Sequence, residues 1–350
     1  MKLSIITTVY KAEKDLPRLL DSMMALKSTE LEFYMINNGS PDGCGEILTK
    51  YAKLDSRFKI HTLKENIGYI GARNLGIQQV EADYVGFCDS DDYLEPNGYD
   101  NALLELQSYL PDFYIACFNQ VFSESRIKIV TPPYEFGLYV QDDVKGIISP
   151  QSFGPLDSNQ ASLSGFVWKH IYKLDVLRRN RLFFHKDIQP YEDEIFNIDV
   201  IKSSAKILVS KQVLYNYVVN ESSITSKMRQ QFNLEEEWDR VLSIYKLRQE
   251  RWTSNNEIIA SKNIIIDYIY GCMLWTGKCN NQPISKSSKT LKRLCEKDRS
   301  VLEDIYSDVN LNRLNFFIKT CLLNNHQAIL IFLSRLYFSL TRTNRHKSTR

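Results

Sequence analysis

Residues 84–92 have the sequence Tyr-Val-Gly-Phe-Cys-Asp-Ser-Asp-Asp, an apolar run followed at once by three carboxylates. The apolar part, 84–88, predicts a strand that is buried on both faces. Three acidic side chains within four residues repel one another unless solvent or a cation separates them. The stretch therefore predicts a strand that ends in a charged turn. That turn is either a site for Mg²⁺ or Mn²⁺, or a solvated acidic turn that caps the next helix.

The residues around this stretch alternate short apolar runs with helical patterns. Strands are predicted over 3–9, 32–36, 58–63 and 112–118, and helices over 14–26, 42–53, 70–80 and 97–110. In the first helix, Leu16, Leu19, Leu20, Met23 and Met24 recur at the spacing of one helix face. This alternation is typical of a mostly parallel sheet with flanking helices, which binds ligands at the carboxyl ends of its strands.

The rest of the chain has a different pattern of apolar residues and prolines. Residues 120–157 mix short β-prone runs with Pro132, Pro133 and Pro150, which predicts irregular structure. Beyond Arg229 the pattern is helical, and the first proline there is Pro283. We therefore expect an α/β domain over 1–228 and a helical carboxyl-terminal region over 229–350.

Composition and charge narrow the classes of protein. The chain has 350 residues, 43% of them hydrophobic and 25% charged, which excludes a disordered protein. The net charge of +2 is too small to indicate a nucleic-acid binder. The charge is uneven, however, because residues 309–350 contain seven basic and no acidic side chains. The carboxyl-terminal end is therefore basic, on a mildly acidic body.

The cysteines and the amino-terminal residues indicate in which compartment the protein is expected. Seven cysteines form an odd set without a Cys-x-x-Cys pair, which fits neither a disulfide framework nor a zinc site. The first residues lack the apolar stretch of a signal peptide, and nothing reaches the ~18 apolar residues of a membrane span. We expect a cytoplasmic protein.

Four sequence blocks in order resemble the signature of family 2 glycosyltransferases, which have the GT-A fold. The blocks are Ser4-Ile-Ile-Thr-Thr-Val-Tyr10, Ile36-Asn-Asn-Gly-Ser-Pro-Asp42, Asn66-Ile-Gly68 with Ala72-Arg-Asn-Leu-Gly76, and Phe87-Cys-Asp-Ser-Asp-Asp92. The resemblance is strong over 1–96 and fainter to about 225. It implies a GT-A domain, Rossmann-like, with a nucleotide-sugar half over 1–118 and an acceptor-binding half over 119–228.

The resemblance also implies donor-binding residues at the strand ends. These are Thr8, Val9 and Tyr10 against the base and ribose, and Arg73, Asp89 and Ser90 near the ribose, sugar and phosphates. Asn37 and Asn38 stand where most relatives have Asp that binds the base. An Asn oxygen still accepts a hydrogen bond from uracil, so the preference for UDP is weakened and not lost. Asp91 is the implied ligand of Mn²⁺ or Mg²⁺, together with Asp89, and Asp92 is a helper or a helix cap.

A second acidic segment, Tyr191-Glu-Asp-Glu-Ile-Phe196, resembles the motif that carries the catalytic base of the family. We assign Asp193 as the base, with Glu192 as the second candidate, because an aspartate beside an acceptor hydroxyl can remove its proton. The alternative is that these acidic residues only stabilise the first turn of a helix through its dipole.

Acceptor contacts are implied for Trp168, Lys169 and His170, in a block where an aromatic residue of the family stacks on a sugar. Trp168 fits equally well as a core aromatic. Further on, Tyr215-Asn-Tyr217 and Ser222-Ser-Ile-Thr225 resemble a loop that closes over the donor phosphates. Val218 replaces an arginine that is common there, so Lys227 or Arg229 would have to supply that contact.

The sequence thus predicts an inverting, metal-dependent glycosyltransferase. It would move a hexose from a nucleotide sugar to a glycan or lipid-linked glycan in capsule, lipopolysaccharide or other surface polysaccharide synthesis. A sugar-nucleotide nucleotidyltransferase is one alternative, although the turn after the first strand lacks the glycines of that class. A non-catalytic glycan-binding module is another. The apolar run 328–340 with its basic tail either lies peripherally on the anionic inner face of the cell membrane or packs on the body as a buried helix.

Overall fold

The computed structural model describes residues 1–123, 125–140, 143, 166–189, 192–219, 232–252, 255–279 and 283–335. The chain divides into two compact units, Met1–Val219 and Asn220–Arg350. The predicted boundary between residues 228 and 229 lies outside the described residues and stays a prediction.

The described strands of the first unit form one mixed sheet, with helices between its strands. The strands are β1 (Leu3–Val9), β2 (Leu31–Asn37), β3 (Phe58–Thr62), β4 (Tyr84–Asp89), β5 (Tyr93–Leu94), β6 (Phe113–Ser123), β7 (Arg126–Val130), β8 (Gly137–Val140), β9 (His170–Lys173) and β10 (Lys206–Val218). The order across the sheet is β3-β2-β1-β4-β9-β6-β10-β5, with β7 beside β6 and β8 beside β10. Strands β3, β2, β1 and β4 are parallel, as are β6 and β10, whereas the other pairs are antiparallel.

The helices of this unit follow the predicted pattern. They are α1 (Leu16–Met24), α2 (Cys44–Leu54), α3 (Tyr69–Gln79), α4 (Pro96–Tyr109), α5 (Leu174–Arg179) and α6 (Glu192–Ser203), with a 3₁₀ turn at Lys186–Ile188. In α1, four of the five apolar residues predicted for the buried face are fully buried, whereas Met24, the last residue of the helix, is exposed. The α/β class and the predicted early elements are therefore confirmed.

The strand register brings the predicted site residues to one edge of the sheet. Thr8 lies between Ile36 on β2 and Asp89 on β4, and Val9 pairs with Asn37. The first connection along the chain runs from β1 to β2, whereas β4 lies on the other side of β1. A reversal of this kind opens a crevice at the carboxyl ends of the strands.

Two glycines are required by close backbone approaches. Gly39 has φ of 65°, and a Cβ there would lie 2.6 Å from the carbonyl carbon of Glu65. Gly98 is in the first turn of α4, where a Cβ would lie 1.7 Å from the carbonyl oxygen of Val213 on β10. The first glycine lets the turn after β2 approach the turn after β3, and the second lets α4 approach the sheet.

Two predictions about the middle of the chain need correction. Residues 120–140 are not irregular, because they contain the end of β6 and all of β7 and β8. Tyr215 and Tyr217 are in β10 and not in a loop, because their backbone pairs with β6 and, at Tyr215, also with β5. The other residues predicted for that loop, Ser222 to Thr225 with Lys227 and Arg229, lie outside the described residues.

The second unit is helical in its described part, as predicted. Its helices are α7 (Leu234–Arg251), α8 (Asn255–Cys279), α9 (Ile284–Lys297), α10 (Arg299–Ile305) and α11 (Arg313–Leu323), followed by α12 over 327–335. The indole of Trp238 donates to Asp298 at 2.9 Å, and the Tyr245 hydroxyl donates to Asp304 at 2.5 Å. Within the described ranges, no helix is long and apolar enough to cross a bilayer.

Candidate active site

The turn after β2 is fixed by the side chains of Asn37 and Asn38. Both side chains are buried, and their oxygens accept backbone hydrogen bonds: Asn37 from the Ser40 amide at 3.0 Å, and Asn38 from the Ile67 amide at 3.0 Å. The Asn38 amide also donates to Asn66 Oδ1 at 3.1 Å. An aspartate at position 38 could accept the same backbone bond but could not donate to Asn66. The asparagines therefore hold two turns of the site together.

The end of β1 lies beside this turn. The Val9 carbonyl accepts from the Asn38 amide at 2.9 Å, and the Val9 side chain is fully buried. Tyr10 is exposed, and the Nζ of Lys11 lies 5.3 Å from the centre of its ring. Of the three residues predicted to contact the base and ribose, Val9 could therefore contribute only its backbone, whereas the Tyr10 ring is accessible.

The acidic turn after β4 is held by Tyr215. The Asp89 amide donates to the Tyr215 hydroxyl at 3.0 Å, and this hydroxyl donates to Asp92 Oδ2 at 2.8 Å. Asp92 Oδ1 accepts from the Val218 amide at 2.7 Å. Asp92 is therefore a structural carboxylate that ties the turn to β10. It does not cap α4, whose N-cap residue is Glu95.

Asp91 has a different environment. Burial, together with the nearby carboxylate of Asp89, raises the pKa of Asp91 to about 6. In the described part of the chain, no other residue's side chain donates a hydrogen bond to it. The guanidinium of Arg18 bonds instead to the Asp91 backbone carbonyl. Asp91 is thus a half-buried carboxylate whose charge is opposed by its surroundings, which is a condition that a cation would relieve.

Two carboxylates alone make an incomplete metal site. Among the described residues, no three His, Cys, Asp or Glu side chains are grouped so that they could hold a metal ion. Hard divalent ions such as Mg²⁺ are commonly held by one or two carboxylates together with phosphate oxygens of a substrate. Asp89 and Asp91 fit such a shared site. They do not fit a site built from protein ligands only.

A single guanidinium connects the two acidic segments. Arg73, on α3, donates from Nη2 to Asp89 Oδ1 at 2.7 Å and from Nη1 to Asp193 Oδ1 at 2.9 Å. Its side chain is 6% exposed and lies between two rings, with Cζ 5.2 Å from the centre of the Tyr69 ring and 5.5 Å from that of Phe184. Arg73 was predicted near the donor phosphates or ribose. In this structure both of its terminal nitrogens bind protein carboxylates.

Asp193 lies in the first turn of α6, as predicted from the sequence. Its side chain is 15% exposed, and Oδ2 accepts from the Val167 amide at 3.4 Å. Burial raises the pKa of Asp193 above its usual range, as do the carboxylates of Glu192 and Asp89, whereas Arg73 opposes that shift. A partly accessible carboxylate with a raised pKa has the properties of a general base.

Aromatic packing fixes the start of α6. The rings of Phe184 and Phe196 are stacked with centroids 4.0 Å apart, and Phe87 of β4 meets both edge-on. On the next turn, Asn197 accepts from the Tyr172 hydroxyl at 2.7 Å. These contacts join α6 to the strands that carry the acidic turn, so the position of Asp193 is rigidly determined.

Glu192, the second candidate for the base, is more deeply buried. Its Oε1 accepts from the Tyr69 hydroxyl at 2.6 Å, and its side chain is almost inaccessible, whereas Asp193 retains an exposed part. Oε2 is buried, and no hydrogen-bond partner for it occurs among the described residues. The geometry therefore favours Asp193 over Glu192 as the group that meets an acceptor.

The residues predicted to contact the acceptor are buried. Trp168, Lys169 and His170 are 3%, 2% and 0% exposed. Trp168 stacks on Tyr215 and Tyr217, with ring centroids 4.4 Å and 5.5 Å away. This environment is that of a core aromatic residue, the second of the two roles predicted for Trp168. Their acceptor role stays untested, and their burial counts against it.

The structure therefore brings together most of the predicted donor and catalytic residues and adds three more. Tyr69 holds Glu192, and Asn66 holds Asn38. Tyr215 holds the acidic turn. Asn66 lies in a block already noted in the sequence, but nothing local to Tyr69 or Tyr215 indicates these partners, which are more than 120 residues away.

Comparison with known proteins shows which proteins this chain resembles. The sequence profile of glycosyl transferase family 2 matches residues 4–152. The chain is 29% identical over 224 residues to the uncharacterized glycosyltransferase EpsJ of Bacillus subtilis, a match that spans 63% of this chain and 62% of EpsJ. It is 25% identical over 225 residues to the poly(ribitol-phosphate) β-N-acetylglucosaminyltransferase TarS of Staphylococcus aureus, spanning 62% of this chain and 35% of TarS. Both matches span less than two thirds of the relative.

Solved structures share the fold. TarS 1–349 of S. aureus in complex with UDP-GlcNAc superposes with a TM-score of 0.63 at 19% identity, covering 97% of this chain and 92% of that one. The mannosyltransferase PcManGT of Pyrobaculum calidifontis, in complex with GDP-Man and Mn²⁺, superposes with a TM-score of 0.52 at 11% identity. This match covers 96% of this chain and 87% of that one. The GT-A class is thereby confirmed. Residues 4–152 thus match the glycosyl transferase family 2 profile, and the relatives and the fold agree with the four sequence blocks.

Proposed function

We propose that this protein transfers a hexose from a nucleotide diphosphate sugar to a hydroxyl group of a glycan or a polyol-phosphate polymer in surface polysaccharide synthesis. One observation carries the proposal. The Arg73 guanidinium holds Asp89, at the donor end of the sheet, and Asp193, at the start of α6, on its two nitrogens. A donor-side carboxylate and a candidate base are thus fixed at one place in the fold.

In the proposed reaction, Asp193 accepts the proton of the acceptor hydroxyl as its oxygen attacks the anomeric carbon. A raised pKa suits this role, because a base with a pKa near neutrality is unprotonated in a large fraction of molecules at physiological pH and still binds the proton well. A single base and a single displacement would invert the anomeric configuration. Arg73 keeps Asp193 oriented, and Asp89, which is 35% exposed, remains available to the donor.

The leaving nucleoside diphosphate requires charge neutralisation. We propose that Asp89 and Asp91 hold a divalent cation together with the donor phosphates, and that this ion would stabilise the charge of the leaving group. The raised pKa of Asp91 supports this, because burial and the Asp89 carboxylate raise it by more than the nearby Arg18 guanidinium lowers it. UDP is the proposed nucleotide, since the fold is shared with a structure that contains UDP-GlcNAc.

Asparagines in place of aspartates do not indicate a degenerate, non-catalytic site. Asn37 and Asn38 provide the same acceptor oxygens that aspartates would provide to the amides of Ser40 and Ile67. The candidate base, Asp193, and the two candidate metal ligands, Asp89 and Asp91, are also present. These features favour an enzyme over a module that only binds glycans.

The proposal is tested by incubating the purified chain with UDP-glucose, UDP-galactose, UDP-GlcNAc and GDP-mannose, each with Mn²⁺, Mg²⁺ or a chelator. Release of nucleoside diphosphate is measured with and without oligosaccharide or polyol-phosphate acceptors. We expect one donor to be turned over, faster with acceptor and only with metal. If calorimetry detects no binding of any sugar nucleotide and no release occurs, the proposed function is wrong.

A further inference from the structure

The exposed apolar side chains of the second unit are confined to its last two described helices. Among the large hydrophobic residues that the structure describes in this unit, the exposed ones are Leu314, Phe316, Phe317, Ile329, Phe332 and Leu333. The described helices before them, α7 to α10, bury their large apolar residues at least partly. This concentration at one end of the unit is not a scatter of single surface residues.

Each of the two helices has a second apolar face in addition to its buried one. In α11, Ile318, Cys321 and Leu322 are buried, while Phe316 and Phe317 are 61% and 38% exposed. In α12, Leu330 and Ile331 are buried, while Ile329, Phe332 and Leu333 are 46%, 53% and 42% exposed. In α12 the exposed residues recur at i, i+3 and i+4, and in α11 Leu314 and Phe317 are three residues apart with Phe316 beside them, so each helix carries an exposed apolar stripe. A surface helix normally places polar residues there.

The charged side chains of the segment that carries this stripe have one sign. Asp308 is the last acidic residue of the chain, and every charged side chain after it is basic. Arg313, Lys319 and Arg335 are on the two helices, and four more basic residues follow in the sequence beyond 335, outside the described residues. An exposed apolar surface on a segment whose own charged side chains are all basic is complementary to an anionic apolar partner.

We propose that the apolar stripe of α11 and α12 docks this protein on an anionic lipid bilayer. The phenylalanine rings would enter the boundary between headgroups and acyl chains, and the basic residues would contact acidic headgroups. A second exposed apolar patch, around Ile127, Ile129 and Phe136 in the first unit, has charges of both signs close by in the sequence, such as Arg126 and Glu135, and lacks this complementarity. The inference does not depend on the proposed glycosyl transfer.

The test uses the full chain and sedimentation with vesicles of phosphatidylcholine alone or mixed with phosphatidylglycerol. We expect binding to the anionic vesicles, weaker at high salt, and little binding to the neutral ones. The double variant Phe316→Asp with Phe332→Asp should bind the anionic vesicles at least roughly 10-fold more weakly, because it places charge in the apolar stripe. The control is Leu104→Asp, an equally exposed apolar residue on α4 of the first unit, which should bind like the wild type.

Circular dichroism and thermal unfolding verify that both variants are folded, and sedimentation velocity measures the association state. The proposal is overturned if the wild type does not prefer anionic vesicles, or if the double variant binds them as well as the wild type. It is also overturned if the wild type is an oligomer that the double variant converts to monomer without any change in vesicle binding, since the stripe is then an interface between copies of the chain.

Discussion

Replacing Asp193 by Asn tests the catalytic assignment most directly, and its effect on stability can be worked out from the contacts. Removing one partner of a buried ion pair costs ~3 to 5 kcal/mol when it leaves the other charge unpaired. Here Arg73 keeps Asp89 at 2.7 Å, and the asparagine oxygen can still accept from Nη1. The substitution also removes the repulsion between the Asp193 carboxylate and those of Glu192 and Asp89, which offsets part of the free energy lost with the ion pair. We expect the free energy of unfolding to change by only about 1 kcal/mol.

Catalysis should change far more than stability. An asparagine cannot take the proton, so transfer should fall by ~10² to 10⁴, equivalent to about 3 to 5 kcal/mol of transition-state stabilisation. Donor affinity, measured by calorimetry, should persist because the donor-side residues are untouched. If Asp193→Asn transfers sugar at a near-normal rate with normal donor binding, the side chain is only a helix-terminal residue and the base assignment is wrong.

Glu192→Gln is the matched control. It keeps the acceptor oxygen for the Tyr69 hydroxyl and lies one residue away in the same helix turn. We expect it to retain more transfer activity than Asp193→Asn. If Glu192→Gln alone stops transfer while Asp193→Asn does not, the base is Glu192, and the assignment is shifted by one residue.

Three further predictions follow from single side chains. Asp91→Ala should abolish turnover and the metal-dependent part of donor binding at an unchanged unfolding midpoint, and full activity of that variant in chelator would refute the metal assignment. Burial lowers the pKa of Lys169 to about 7, whereas the pKa of an exposed lysine is about 10.4. Between these two pH values the Lys169 side chain is protonated in the unfolded chain and neutral in the folded one, so the unfolded chain binds more protons. Stability should therefore rise with pH in this window, by about 1.4 kcal/mol per unit from this group, and urea unfolding of Lys169→Met should lack that slope. Gly98→Ala should cost at least about 3 kcal/mol in urea unfolding, because its Cβ meets the Val213 carbonyl, whereas Gly71→Ala, which meets only the flexible side chain of Ile67, should be nearly neutral.

The elements of the first unit and the location of its site could be predicted because they depend on local patterns. The helical spacing of apolar residues predicted α1, and an apolar run followed by acidic residues predicted β4 and its turn. A parallel sheet brings strand ends to one edge, so Thr8, Asn37 and Asp89 were expected to be neighbours before their register was known. Asp193 was found by its motif and lies at the start of α6, where an acidic residue also favours the helix dipole.

Burial and hydrogen-bond partners could not be predicted, because no local pattern encodes them. Lys169 and His170 are polar in sequence, yet both are buried where β9 enters the sheet between β4 and β6. Asp92 resembles a helix cap, but its partners are Tyr215 and the Val218 amide on β10.

The sequence by itself determined the α/β class, the helical second region, the resemblance to family 2 glycosyltransferases and the segments that carry the acidic groups, because periodicity and short motifs are properties of neighbouring residues. Only the tertiary structure decided what each group does there. It is the strand order and the packing of α6 on Phe87 and Phe184 that bring Asp193 to Arg73, 120 residues away. A guanidinium that appeared free for phosphate in the sequence is thereby used to orient the candidate base, since a buried charge is stable only where other elements bring it partners.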